Sequence, residues 1–150
     1  MSSRASTILI AVADLVDNAT GLTGTGKVII GHPPQGKPAT VPSAYVWHDG
    51  LSSTQDGEPL GNYRRELTLR ALVFAQAGAR TPRGATVAAL DLLDLVTSAI
   101  EADRTIASNA LDVVVTGIST TGDDFGGGKN TVGAELQIVV YWSATSGEGV

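Results

Sequence analysis

The stretch Gly21-Leu22-Thr23-Gly24-Thr25-Gly26-Lys27-Val28 has the glycine spacing and the lysine of a phosphate-cradling loop. In such a loop, backbone N–H groups and the lysine hold phosphates, and a Ser or Thr directly after the lysine binds Mg²⁺. Val28 stands at that position, and the flanking pattern is inverted: helical periodicity comes before the glycines and a β-branched run after them. A phosphate site needs the reverse order, because the following helix presents its N-terminal N–H groups to the anion. A glycine-rich turn is the better reading. Gly122 to Lys129 fails in the same way, with Asn130 after the lysine and a strand beyond it.

The other candidates are weaker. Asp123 and Asp124 lie in no regular Asp-x-Asp-x-Asp-Gly loop with a closing Glu, so a solvated acidic loop tip explains them better than a cation site. His32 and His48 flank a Pro-rich connection, and neither has a second ligand at metal-binding spacing. Ser52 and Ser53 follow Gly50, but Thr54 stands where a nucleophile elbow needs glycine. Trp47 and Trp142 lie on strand-like segments without a basic run beside them and read as packing residues rather than base-stacking platforms. These residues define no catalytic, cofactor-binding or metal site, and no enzyme activity is expected.

Composition narrows the field further. A chain of 150 residues suits one domain, expected over residues 1–143 with a flexible tail from Ala144 to Val150. Hydrophobic residues make up 43% and aromatics only 5%, so the core must be aliphatic, while the 18 glycines gather in connections. A formal charge of −5 argues against a duplex-binding face that works by neutralising phosphates. With no cysteine there is no disulfide, thiol nucleophile or thiolate metal site. The apolar run Ile8 to Val12 is too short, and too close to Asp14 and Asp17, for a membrane span or an export signal.

The elements that would position any surface are easier to read. Ile8, Val12, Leu15 and Ala19, flanked by Leu9 and Val16, give one face of a helix over residues 5–19. Lys27 to Ile30 is a brief strand, and Ala44, Val46 and His48 alternate with Tyr45, Trp47 and Asp49 as a second. Gly50 to Gly61, polar except for Leu51 and Leu60, reads as an exposed loop. Tyr63 to Ala75 is a long strand with Leu67, Leu69, Ala71 and Val73 on its core face and Arg64, Glu66, Thr68 and Arg70 on its wet face. Leu72 and Phe74 then join the second face, so that end is expected to be covered on both sides.

Thr81-Pro82 offers an N-cap for a helix reaching about Asp103, with a polar stripe of Asp91, Asp94, Ser98 and Glu101. Its apolar side would be Leu90, Leu93, Val96 and Ile100, with Leu92 and Ala99. Leu111 to Ser119 and Thr131 to Ser143 are two more strands around the glycine-rich connection Thr120 to Asn130. The fold class is therefore α+β: a mostly antiparallel mixed sheet with two helices packed on one face. A parallel doubly wound sheet is disfavoured, because two successive strand pairs lack a helix between them.

Taken as a whole, this order resembles the tail terminator proteins of long-tailed bacteriophages, the tail-completion family that includes minor tail protein U. The resemblance spans Ile8 to Trp142 and rests on five features. They are the N-terminal helix, Pro42-Ser43-Ala44-Tyr45-Val46, Tyr63-Arg64-Arg65-Glu66-Leu67-Thr68-Leu69-Arg70, the Ala88 to Ile100 helix, and Gln137-Ile138-Val139-Val140-Tyr141-Trp142. It implies a homo-hexameric ring in the neck of the virion, assembled in the host cytoplasm. The ring would end tail-tube polymerisation and meet the tail tube protein on one side and the head-closure or connector protein on the other. DNA would be only passing cargo in the channel, with no membrane and no cofactor involved.

On that implication the partner-facing loops would carry Asp49, Leu51, Gln55, Asp56 and Glu58 in one and Asp123, Asp124, Phe125 and Lys129 in the other. The wet strand face of Arg64, Glu66 and Arg70 would either pair across a subunit boundary or simply solvate the sheet. A head-closure protein, a tube subunit and a small nucleotide-binding enzyme are the alternative readings.

Overall fold

The computed structural model describes residues 3–20, 28–33, 42–55, 57–76, 84–121 and 131–145. The first helix, α1 (Arg4–Thr20), starts where Ser3 Oγ accepts the Ser6 N–H at 3.1 Å, a side-chain cap that satisfies one of the free N–H groups of the first turn. It buries Ile8, Val12, Ala13 and Val16. Of the predicted stripe Ile8 and Val12 are buried and Leu15 and Ala19 only half-buried, while Val16, expected as a flank, is buried, so the buried face is turned toward Val16.

Five strands follow around a second helix: β1 (Val28–Ile30), β2 (Ser43–Thr54), β3 (Asn62–Gln76), α2 (Ala85–Ala102), β4 (Asp112–Thr121) and β5 (Thr131–Thr145). They form a single sheet in the order β1-β2-β3-β5-β4. Only the β1–β2 pair is parallel. The sheet is thus mixed and mostly antiparallel, and both helices pack on one face, α1 toward β1 and β2, α2 toward β3, β5 and β4. The core between the layers is aliphatic apart from Trp142, with Leu67, Leu69, Ala71 and Val73 of β3 facing inward as their alternation requires.

Several boundaries differ from the sequence reading. Residues Gly50–Thr54 are strand rather than loop, paired with Arg64–Thr68 of β3. β5 continues two residues past Ser143 to Thr145, and Ala144 is buried, because β3 supplies a partner through Asn62. The cap of α2 is Gly84, at φ +104, with no side-chain cap bond; Thr81 and Pro82 lie outside the described residues. The buried line of α2 runs Ala85, Ala89, Leu93, Val96 and Ile100. Leu90, expected inside, lies on the exposed side, because the contact follows the small alanines that let the helix approach the sheet.

Between α2 and β4 the chain makes a left-handed turn with Ile106, Ala107 and Ser108 at φ +45, +52 and +65. Left-handed geometry costs a non-glycine residue about 1–2 kcal/mol, so the turn needs support. Ile106 is buried in the core, Asp103 Oδ2 accepts the Ala107 N–H at 2.9 Å, and Arg104 grips Asp112 with two bonds of 2.8 Å.

Candidate interaction surfaces

The helix-free face of the sheet divides along its length. At one end Tyr45, Trp47, Leu72 and Phe74 form a second buried cluster, with Tyr45 edge-on to Phe74 at 5.9 Å and His32 tilted against Trp47 at 5.5 Å. The end of β3 that turns apolar on both faces is therefore covered, as its residue pattern predicts. Trp142 is buried on the opposite, helix-covered face, so both tryptophans pack.

The next register positions carry charge. A β-bulge between His48 and Gly50 leaves Asp49 without a partner on β3 and turns its carboxylate toward Arg70. Arg70 Nε donates to Asp49 Oδ2 at 2.7 Å, and its Nη1 donates to Glu135 Oε1. These bonds, Asp49 first and Glu135 second, hold Arg70 more firmly protonated than a free guanidinium. Beside this triad, Gly117, Ile118, Ser119 and Gln137 complete a polar pocket of ≈ 220 Å³. Farther along, Arg64 lies 4.9 Å from the centre of the Tyr141 ring, and half-buried Glu66 pairs in register with Tyr141. The Arg70 charge is thus met within this chain, whereas Arg64 remains exposed to solvent at its tip of the sheet.

Beyond the bulge, the outer half of β2 (Gly50–Thr54) and the turn that joins it to β3 form an arm along the sheet, while β3 itself is paired with β5 on its other side as far as Asn62. Gly57 and Gly61 take φ +79 and +86 in its turn, a region glycine enters freely, and Glu58 N–H and Asn62 N–H close it on Gln55 O and Pro59 O at 3.0 Å each. Asp49 and Leu51 are strand residues, Gln55 and Glu58 belong to the turn, and Asp56 lies outside the described residues. Leu51 points toward the helix layer and lines an apolar pocket of ≈ 240 Å³ with Ala5, Ser6, Leu9, His48 and Leu67. Leu60, at the turn, is 96% exposed, more than any other large apolar side chain among the described residues. Leu60 and Leu51 are the two residues that break the polarity of this segment in the sequence, and polarity alone gives no reason to single out Leu60. Asp123, Asp124, Phe125 and Lys129 lie outside the described residues, as do Gly21 to Lys27.

Among the described residues no cluster of three or more His, Asp or Glu is placed to hold a metal ion, and no helix is long and apolar enough to cross a membrane. The element order around the glycine-rich segment is α1 before and β1 after, the inverse of a phosphate-binding unit.

No protein-family model matches the chain, and no curated protein matches it. Among solved structures, a chain in the virion of native gene transfer agent (GTA) particle aligns at 12% identity. The alignment covers 91% of this chain and 94% of that one, with a TM-score of 0.46.

Proposed function

We propose that this chain is a structural subunit of a tailed, phage-like virion: it forms a ring on the head-proximal end of the tail tube, ends tube growth and receives the head connector. The observation that carries this reading is the arm, the exposed outer half of β2 with its closed turn, which carries a bare leucine, Leu60. A closed turn with one apolar knob suits docking on a neighbouring protein, because burying a leucine stabilises a contact by about 1.5–3 kcal/mol. The resemblance in element order supports the same reading. The partners are further copies of this chain, the tail tube protein and the head-closure or connector protein. DNA passes through as cargo, and the charge of −5 disfavours adhesion of its phosphates.

Native mass spectrometry of the purified chain, followed by electron microscopy with tail tubes of its own particle, tests the proposal. A six-copy species, or rings only at one end of each tube, supports it. Open filaments of the chain alone would make it a tube subunit instead, and monomers that ignore tubes would sink the reading.

A further inference from the structure

The two outer strands of the sheet, β1 and β4, each have a strand on only one side among the described residues. A strand paired on one side leaves backbone N–H and C=O groups pointing sideways, which is a template for another strand. Proteins commonly guard such edges with lysine or proline, and neither occurs in Val28–Ile30 or Asp112–Thr121. The sole charge on either, Asp112, is engaged by Arg104 at the start of β4.

The apolar residues on the two edges also match. On β1, Ile29 is in register with Tyr45 and so belongs to the helix-free face, while Ile30 is in register with Val46 on the helix side. On β4, Val114 is in register with Val139 on the helix-free face, and Ile118 with Leu136 on the helix side. All four are among the exposed large apolar residues, Ile118 at 59%. Each edge therefore offers one β-branched side chain to each face of a continued sheet.

Strand direction adds a third constraint. β1 runs parallel to β2, and three antiparallel steps then lead through β3 and β5 to β4, so β4 runs opposite to β1. A rotation about an axis along the strands preserves direction. Repeating the chain that way brings β4 of one copy antiparallel to β1 of the next, the more stable ladder.

We propose that neighbouring copies join edge to edge, with β1 of one copy added to β4 of the next. This head-to-tail contact uses two different surfaces and closes into a ring when the rotation divides the circle. The inference deepens the ring reading and rests on it. A two-fold β4-to-β4 contact is the rival, but it leaves Ile29 and Ile30 bare.

The cysteine-free chain makes a clean test. The double variant Ile29→Cys with Val114→Cys, treated with a short bis-maleimide in the presence of tubes, should give a ladder of covalent oligomers. The two single variants should stay uncrosslinked. Covalent dimers from Val114→Cys alone would show the two-fold contact and overturn the proposal. In parallel, Ile118→Lys should keep the wild-type circular dichroism and urea midpoint yet lose the multi-copy species. If that variant still forms rings, the edge contact is wrong and the ring reading stands; if wild type never forms a ring, both fall.

Discussion

The covered end of the sheet and the arm are both reached by β2 along the same neighbour, β3, yet they meet different surroundings. Near Ser43 to Trp47 and Leu72 to Phe74 both faces are buried, with aliphatic residues toward the helices and Tyr45, Trp47, Leu72 and Phe74 away from them. Past the bulge at Asp49, β2 is exposed or half-exposed through Thr54, and the arm is held chiefly by its ladder to β3. The difference divides β2 into a buried half and an exposed half. Side-chain burial at the covered end supplies stability, whereas the exposed side chains of the outer half of β2 contribute little to the fold.

The largest effect should come from Phe74→Ala. Phe74 is 1% exposed, and truncating a buried phenylalanine typically costs about 3–5 kcal/mol through lost transfer energy and a residual cavity. Urea denaturation would measure it, and a loss below about 1 kcal/mol would mean that the aromatic cluster is loose, removing one side of the contrast. Arg70→Met, at the boundary between the regions, should cost about 1 kcal/mol or less, since the triad is partly solvated and screened. The small loss should shrink further in high salt, because Asp49 and Glu135 would otherwise repel each other across the vacated position.

How far the sequence could reveal these regions follows from what each part needs. β3 and β5 announce themselves because one face of each must be apolar; Leu67, Leu69, Ala71 and Val73 alternate with charged and polar neighbours for that reason. The turn to both-face burial was legible in Leu72 and Phe74. The outer half of β2 was not, because Gly50-Leu51-Ser52-Ser53-Thr54 carries no alternation; its strand state comes from backbone pairing with β3. The parallel placement of β1 left no local mark either, since three residues pair with a strand reached only after a long connection. The left-handed turn at Ile106 contains no glycine to signal it and is held by core burial and the Asp103 carboxylate. Of the site residues, Arg70 was legible as a charge on the wet face, but its partners depend on a bulge that puts Asp49 beside it.

A smaller effect is expected at the start of β4. The Arg104 guanidinium, and after it the Val113 N–H, hold the Asp112 carboxyl below the usual carboxylate range. A carboxyl whose folded value is depressed contributes stability that is fully present above its unfolded value and is lost as pH falls through the folded one. Asp112→Asn should therefore lower the melting temperature slightly at neutral pH, and the two proteins should converge in acid. A gap that instead widens as pH falls would mean that Arg104 does not favour the ionised form. Because the pair is open to solvent, the difference should also diminish with added salt.

The smallest effect on the fold should be that of Leu60→Ser, and it is the most telling one. A side chain already 96% exposed gives up almost no burial on folding, so the urea midpoint should not move. If the arm serves a partner, the same variant should form rings at the wild-type concentration and yet leave tube ends uncapped. Unchanged capping would reduce Leu60 to an ordinary surface leucine and remove the arm's apolar knob as the basis of docking. Loss of both rings and capping, with the fold intact, would place the arm in the contact between copies. In either event the covered end of the hairpin should be unaffected, since the arm's tip contributes nothing to its aromatic cluster.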